Sequence, residues 1–278
     1  MLDELNRLMT SLPGKETRVT VIDLTLLTMI FFLTSIVSVV TGSTSLITVP
    51  GLFQFGVEPR TALATNMLAL TFMSVGGTLP FIGKSVIDRR RLPLLIVLTL
   101  ISSTLGALLV FLVPSKAIPL IVSLAMMAVA LFSMMQPQAG IVPVASARSR
   151  AAEIAGYATT FALGIYGGFF SGGYVTLLTA AYVTLFRMTF VEAVSITKLI
   201  NIFSSLIATL VFMWRGLIDY RLGILLSVAM FMGASIGGRL ALKMSNVWLR
   251  CVFLLAVVLL ALKILLYDVL GKMLLLAG

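Results

Sequence analysis

From residue 21 onward the chain is a succession of apolar runs separated by short glycine-bearing, hydroxyl-rich or basic stretches. Runs at about 21–40, 61–83, 92–113, 117–135, 151–170, 190–214, 222–242 and 247–270 each approach the roughly 20 residues a helix needs to cross the hydrocarbon of a bilayer. About eight transmembrane helices are therefore predicted. Two further apolar runs, of about a dozen residues each, are too short to cross comfortably. One follows Thr41-Gly42-Ser43-Thr44-Ser45 and ends at Gly56-Val57-Glu58-Pro59-Arg60; the other follows Ser171-Gly172-Gly173 and ends near Phe186-Arg187. Glycine and small hydroxyl residues disfavour regular helix, and hydrocarbon tolerates exposed backbone polar groups only where they face protein or a polar cavity. Broken or re-entrant segments are expected at both places.

The pattern occurs twice. The offset of 131 that carries Gly42 onto Gly173 also carries Thr48, Ala62, Ser74, Thr78, Asp88, Arg90 and Gly106 onto identical residues at 179, 193, 205, 209, 219, 221 and 237, without a gap. Chance explains apolar matches between membrane segments, so the Gly, Asp and Arg matches carry the weight. The organisation read from this is an N-terminal segment 1–20, a first membrane repeat 21–135, a linker 136–150 and a second membrane repeat 151–278. Transporters are commonly built from such repeats, with the substrate site between the halves.

Composition agrees with this reading. The chain is 60% hydrophobic and 11% charged, with a mean hydropathy of +1.14, against about 25% charged residues in soluble domains. It is predicted to be an all-α polytopic membrane protein without an extramembrane domain. There is no histidine and a single cysteine, Cys251, which removes Ser-His and Cys-His catalysis, His-ligated metals and internal disulfides. An enzyme and a bound cofactor are not expected, and no soluble basic face remains for nucleic acid.

Twenty basic residues against ten acidic ones give a net charge of +10, and the basic residues gather between the apolar runs. Arg7, Lys15 and Arg18 would keep the 1–20 segment, a candidate surface helix, in the cytoplasm of a cell whose inner membrane holds the protein. Charge favours an arrangement in which the loops at 84–91, 148–150 and 215–221 share that side and the halves point the same way. Transporter precedent favours inverted halves, so the relation stays open at this point.

Lys198 stands about eight residues inside the run that begins near 190, roughly 12 Å along a helix axis. An ammonium at that depth is expected to face a cavity, a partner or an anion; snorkelling to the near interface is the alternative. Asn201 shares its helix face and Thr197 precedes it, while the first half places Asn66 opposite Thr197 and Met67 opposite Lys198. Half-helices starting after Gly42-Ser43 and Gly172-Gly173 would aim free N–H groups and positive dipole ends into the membrane, which attracts anions; close helix packing is the plainer use of the same residues. Together with Thr65, these residues make a candidate anion site. Gly76-Gly77 and Gly237-Gly238 suit packing contacts, Asp88 and Asp219 suit loop pairing or capping, and Asp23 and Glu192 suit helix starts.

The motifs resemble the TauE/SafE (TSUP) family of sulfite exporters over nearly the whole chain from about residue 21. Gly168-Phe169-Phe170 with Ser171-Gly172-Gly173, Glu192-Ala193-Val194 with Thr197-Lys198-Leu199 and Asn201, Asp219-Tyr220-Arg221 and Gly237-Gly238-Arg239-Leu240-Ala241 are similar to that family's glycine-rich, "EAVATSK" and "DWR" patterns. Val49-Pro50, Ala62-Leu63-Ala64-Thr65 and Asp88 match in the first half. Thr41-Gly42-Ser43-Thr44-Ser45 replaces a glycine cluster, Ile196 a threonine and Tyr220 a common tryptophan. The resemblance implies a transporter, an exporter by precedent, of small sulfur-containing anions such as sulfite or organosulfonates. An anion channel using the same pocket, and a membrane scaffold or assembly factor moving nothing, are the rival readings. The expected partners are a small anion and the lipid bilayer.

Overall fold

The computed structural model describes residues 21–42, 44–81, 91–135 and 150–243. The 1–20 segment, Ser43, Asp88 and most of its loop, all but the last residue of the 136–150 linker and the expected span at 247–270 lie outside the described residues. Nine α-helices are formed by the described residues: α1 (Val21–Thr41), α2 (Ser45–Gln54), α3 (Pro59–Thr78), α4 (Leu92–Leu112), α5 (Ile118–Met135), α6 (Arg150–Phe169), α7 (Tyr174–Leu185), α8 (Phe190–Trp214) and α9 (Tyr220–Lys243). Short 3-10 turns at Leu79–Phe81 and Ser115–Ala117 complete them, and no strand occurs among these residues.

Four helices contain stretches long and apolar enough to cross a membrane: Val21–Val39, Leu92–Leu112, Glu192–Trp214 and Tyr220–Leu240. Ser45–Gln54, Ser115–Val129 and Tyr174–Leu185 are shorter apolar helices. The chain is thus a multi-pass membrane protein. Helix α3 has the length of a span but carries Thr65, Asn66, Thr71, Ser74, Gly76, Gly77 and Thr78, all buried. Its neighbours cover most of it, leaving Phe72 as its exposed large side chain, so most of its surface has no need to be apolar.

Helices α3 and α8 pack together at the centre. Asn201 bonds Ser74 while Thr209 bonds Thr71, so numbers rise along one helix as they fall along the other. The two run antiparallel. Helix α9 lies along α3 and α1, with Asp219 at Thr65, Gly223 at Leu68, Gly233 at Phe32 and Gly237 at Ile36. These three are parallel. Helix α4 likewise runs parallel to α6 and α8, through Gly164 against Ser102, Gly106 against Ile165 and Ser103 bonded to Ser204. At Gly106 and Gly237 a Cβ would strike the carbonyl oxygens of Ile165 and Ile36, so these two crossings require glycine for backbone-to-backbone approach.

Contacts at the helix ends show which loops share an end of the bundle. Arg91, at the start of α4, bonds Glu153 in the first turn of α6 at 3.1 Å and lies over the Phe186 ring. Arg215, after α8, lies over Phe111 near the end of α4, and Arg60 donates to Val113 at 2.7 Å. The 91/150 end and the 215–221 end are therefore opposite ends of the bundle, and the same-side placement that charge favoured is not adopted. Helix packing overrides the charge rule, because α4 and α8 must lie parallel to bring Ser103 onto Ser204 and Phe111 onto Phe212.

Candidate functional site

A capping box fixes the start of α8: the Glu192 amide donates to Thr189 Oγ1 at 3.3 Å and the Thr189 amide to Glu192 Oε2 at 2.8 Å. Lys198 follows two turns later and is 1% exposed. Its ammonium donates to the Ser38 carbonyl at 3.0 Å, and no carboxylate among the described residues pairs with it. That carbonyl also accepts from the Gly42 amide at 2.8 Å, the bond that ends α1. The lysine thus sits at the carboxyl end of a helix that stops inside the bundle, where the helix dipole favours a cation.

Helix α1 stops there because Gly42 adopts φ +68°, and α7 starts after Gly173 at φ +76°. The two breaks abut. A Cβ on Gly42 would lie 2.8 Å from the Thr176 backbone nitrogen and from Val175, while one on Gly172 would meet Leu46 at 2.7 Å. The first turns of α2 and α7 therefore face each other across the breaks, beside the Lys198 end of α8. The Gly172 carbonyl accepts from the Tyr166 hydroxyl.

Around this point the hydroxyls and amides form short ladders. Asn66 accepts from Thr48 at 2.7 Å and donates to Ser45 at 3.0 Å, tying α3 to α2. Thr197 and Thr179 meet at 3.1 Å, tying α8 to α7. Asn201 donates to Ser74 Oγ at 2.6 Å, and its carbonyl oxygen is buried without a partner. With the amide turned over, Ser74 would donate and the unmet group would be N–H, a donor for an oxyanion.

Of the residues expected to form the site, Gly42, Gly172 and Gly173 lie in the breaks, Lys198 reaches the end of α1, Asn66 and Thr197 bond the helices that start there, and Asn201 bonds Ser74 on α3. Thr65 does not join them: its Oγ1 accepts from the Asp219 amide at 3.1 Å, and Asp219 in turn caps Leu222 at the start of α9. Ser43 is outside the described residues. Sequence reasoning passed over Ser38, whose contribution is a backbone carbonyl and so leaves no side-chain signal, and Ser74. It also passed over Tyr174 and Thr99, whose buried hydroxyls make no well-formed hydrogen bond among the described residues.

Apolar helices of opposite direction, two abutting breaks and a lysine buried at their meeting point are the features of a multi-pass membrane transporter. The comparisons with known proteins agree. The family described as sulfite exporter TauE/SafE matches residues 27–264, and the chain belongs to it. The probable membrane transporter protein YfcA of Escherichia coli (strain K12) is 30% identical over 256 residues, which cover 89% of this chain and 92% of the relative. The probable membrane transporter protein ORF9 of a Sinorhizobium species is 27% identical over 84% of this chain and 89% of its own. A probable membrane transporter protein of Haemophilus influenzae is 24% identical over 79% and 85%. No solved structure is significantly similar.

Proposed function

We propose that the protein carries a small sulfur oxyanion or sulfonate across the inner membrane, outward, by alternating access between two inverted repeats. The observation that carries this reading is Lys198, an ammonium buried where the two breaks meet with no carboxylate partner among the described residues. An anion entering between the amino ends of α2 and α7 would take the lysine from the Ser38 carbonyl and find N–H groups and positive dipole ends on both sides. One lysine matches one negative charge, so the loaded site is close to neutral. An inside-negative potential then favours inward return of the empty, positively charged site, and so net outward movement of the anion over a cycle, by about 2.3 kcal/mol per charge per 100 mV. The family's printed description as sulfite exporters supports this choice of cargo.

The division into repeats has support in paired details. Positive φ occurs at Gly42 and Gly56, and again at Gly173 and Arg187, each pair separated by the same offset of 131. Thr48–Asn66 and Thr179–Thr197 are hydrogen bonds between positions related by that offset. Since α3 and α8 are antiparallel, repeats so related are inverted.

The test is a melting-temperature screen of the purified protein in detergent with sulfite, sulfate, thiosulfate, sulfoacetate, taurine and simple carboxylates. An anion that binds the folded state raises its melting temperature by mass action. Stabilisation of the wild type by a sulfur anion, absent in Lys198→Met, is the expected outcome. Stabilisation by carboxylates alone would overturn the cargo assignment, and equal stabilisation of the variant would overturn the site.

A further inference from the structure

The buried polar row on the Lys198 face of α8 continues beyond the site above. Lys198, Asn201 and Ser204 are spaced three apart, stand in one row along the helix and are all buried. At the offset of 131, α3 carries Met67, Leu70 and Met73 in that row, equally buried. A wholly polar row on one central helix thus answers a wholly apolar row on the other. Burying polar groups costs free energy unless each finds a partner. Lys198 has Ser38 and Asn201 has Ser74, while Ser204 meets Ser103 at 2.8 Å and Ser103 reaches the Gly164 carbonyl at 3.1 Å.

The row leads to unmet groups. Tyr174, the first residue of α7, and Thr99 on α4 are both 0% exposed, and the Tyr174 hydroxyl lies beside Thr99 and Ser204. Tyr174 Oη is within weak hydrogen-bonding reach of Thr99 and Ser204, but neither it nor Thr99 Oγ1 makes a well-formed hydrogen bond among the described residues. The positions that correspond to Thr99, Ser103 and Ser204 are the apolar Met230, Ala234 and Met73, while Tyr174 corresponds to Ser43, outside the described residues. Two buried hydroxyls side by side without a well-formed bond, next to two more, are groups that a guest with acceptor oxygens would satisfy.

We propose that Thr99, Ser103, Tyr174 and Ser204 form a second binding station for the transported oxyanion, two turns along α8 from Lys198. Six residues separate Lys198 from Ser204, about 9 Å at 1.5 Å per residue. Tyr174 and Thr99 can turn their hydroxyls to donate to the oxygens of an anion, Ser204 can do so by giving up Ser103, and the amino end of α7 adds its dipole. With no cation of its own, the station holds its guest less tightly than Lys198 does, and the unmet end of Asn201 lies between the two. The anion passes from a charged to an uncharged station. This deepens the transport reading and rests on it.

The experiment uses the full-length chain in liposomes, with radiolabelled sulfite and, separately, sulfoacetate as probes, and melting in detergent alongside. Tyr174→Phe and Thr99→Val remove hydroxyls without a well-formed bond, so without anion they should melt at or above the wild-type temperature. Their flux should fall about ten- to hundredfold, the loss expected for one hydrogen bond to a charged ligand. Thr99→Ser, which keeps the hydroxyl, should retain flux. Wild-type flux with unchanged Tyr174→Phe and Thr99→Val would overturn the station and leave the Lys198 site standing. A fall in melting temperature without anion that parallels the fall in flux would make the hydroxyls structural and overturn the station as well. A wild-type chain that neither moves nor is stabilised by either probe would overturn the transport reading for sulfur anions, and the station with it.

Discussion

Lys198 was legible in the sequence because a charge inside an apolar run is conspicuous whatever its surroundings. Its partner was not, since the Ser38 carbonyl is a backbone group that any residue would supply. Replacing it with methionine, the residue at the corresponding position 67, fits the buried space and removes the charge. Lys198→Met should therefore fold and insert normally while binding of a sulfur anion weakens about tenfold or more, read from the anion dependence of the melting temperature. Two glycines separated by nine residues make opposite predictions. Gly42→Ala sets a Cβ at φ +68° against Val175 and the Thr176 backbone, which should cost at least about 1–2 kcal/mol and lower the melting temperature. Gly51→Ala, in the interior of α2 with nothing within 4 Å of the added Cβ, should stabilise by up to about 1 kcal/mol.

At the level of elements, the apolar runs located the helices closely: the expected runs at 92–113 and 190–214 became Leu92–Leu112 and Phe190–Trp214. Both breaks fell where glycine and serine signalled them. Which helix lies against which was not legible, because lipid-facing and protein-facing surfaces are equally apolar and periodicity cannot separate them. The crossings of α4 with α6 and α9 with α1 depend on Gly106 and Gly237, which are related by the same offset, and valine at either should destabilise to a similar degree. Glu58 caps the start of α3 by accepting from Thr61 at 2.8 Å, and it also accepts from the Ser115 hydroxyl. Partial burial works to raise its pKa, but hydrogen bonds from Ser115 and from the Thr61 and Arg60 backbone outweigh it and hold the carboxyl below the ordinary value. A depressed folded-state pKa gives stability that is present above the ordinary carboxyl value and lost as pH falls through the lowered one. Acid should thus lower the melting temperature of the wild type more than that of Glu58→Gln.

For the whole molecule, a constant offset of 131 between like residues was visible in the sequence, but the relative direction of the helices it relates was not. The charge rule weighs loops, whereas the direction of α3 against α8 is fixed by Ser74 meeting Asn201 and Thr71 meeting Thr209 in the interior. Opposite ends of the bundle carry Arg150 and Lys116, so single cysteines at these positions in a Cys251→Ser chain should react with an impermeant maleimide from opposite faces of the membrane. Gly216→Cys should label from the Lys116 face. Labelling of residue 216 from the Arg150 face, as the same-side placement would have it, would contradict the antiparallel arrangement. The central claim, that this bundle moves an anion through a site held by Lys198, is tested most directly by sulfite and sulfoacetate flux in liposomes containing the wild type or Lys198→Met at matched amounts. The account predicts saturable flux of at least one of the two anions by the wild type and a loss of about tenfold or more in the variant. Equal flux by both proteins would contradict it.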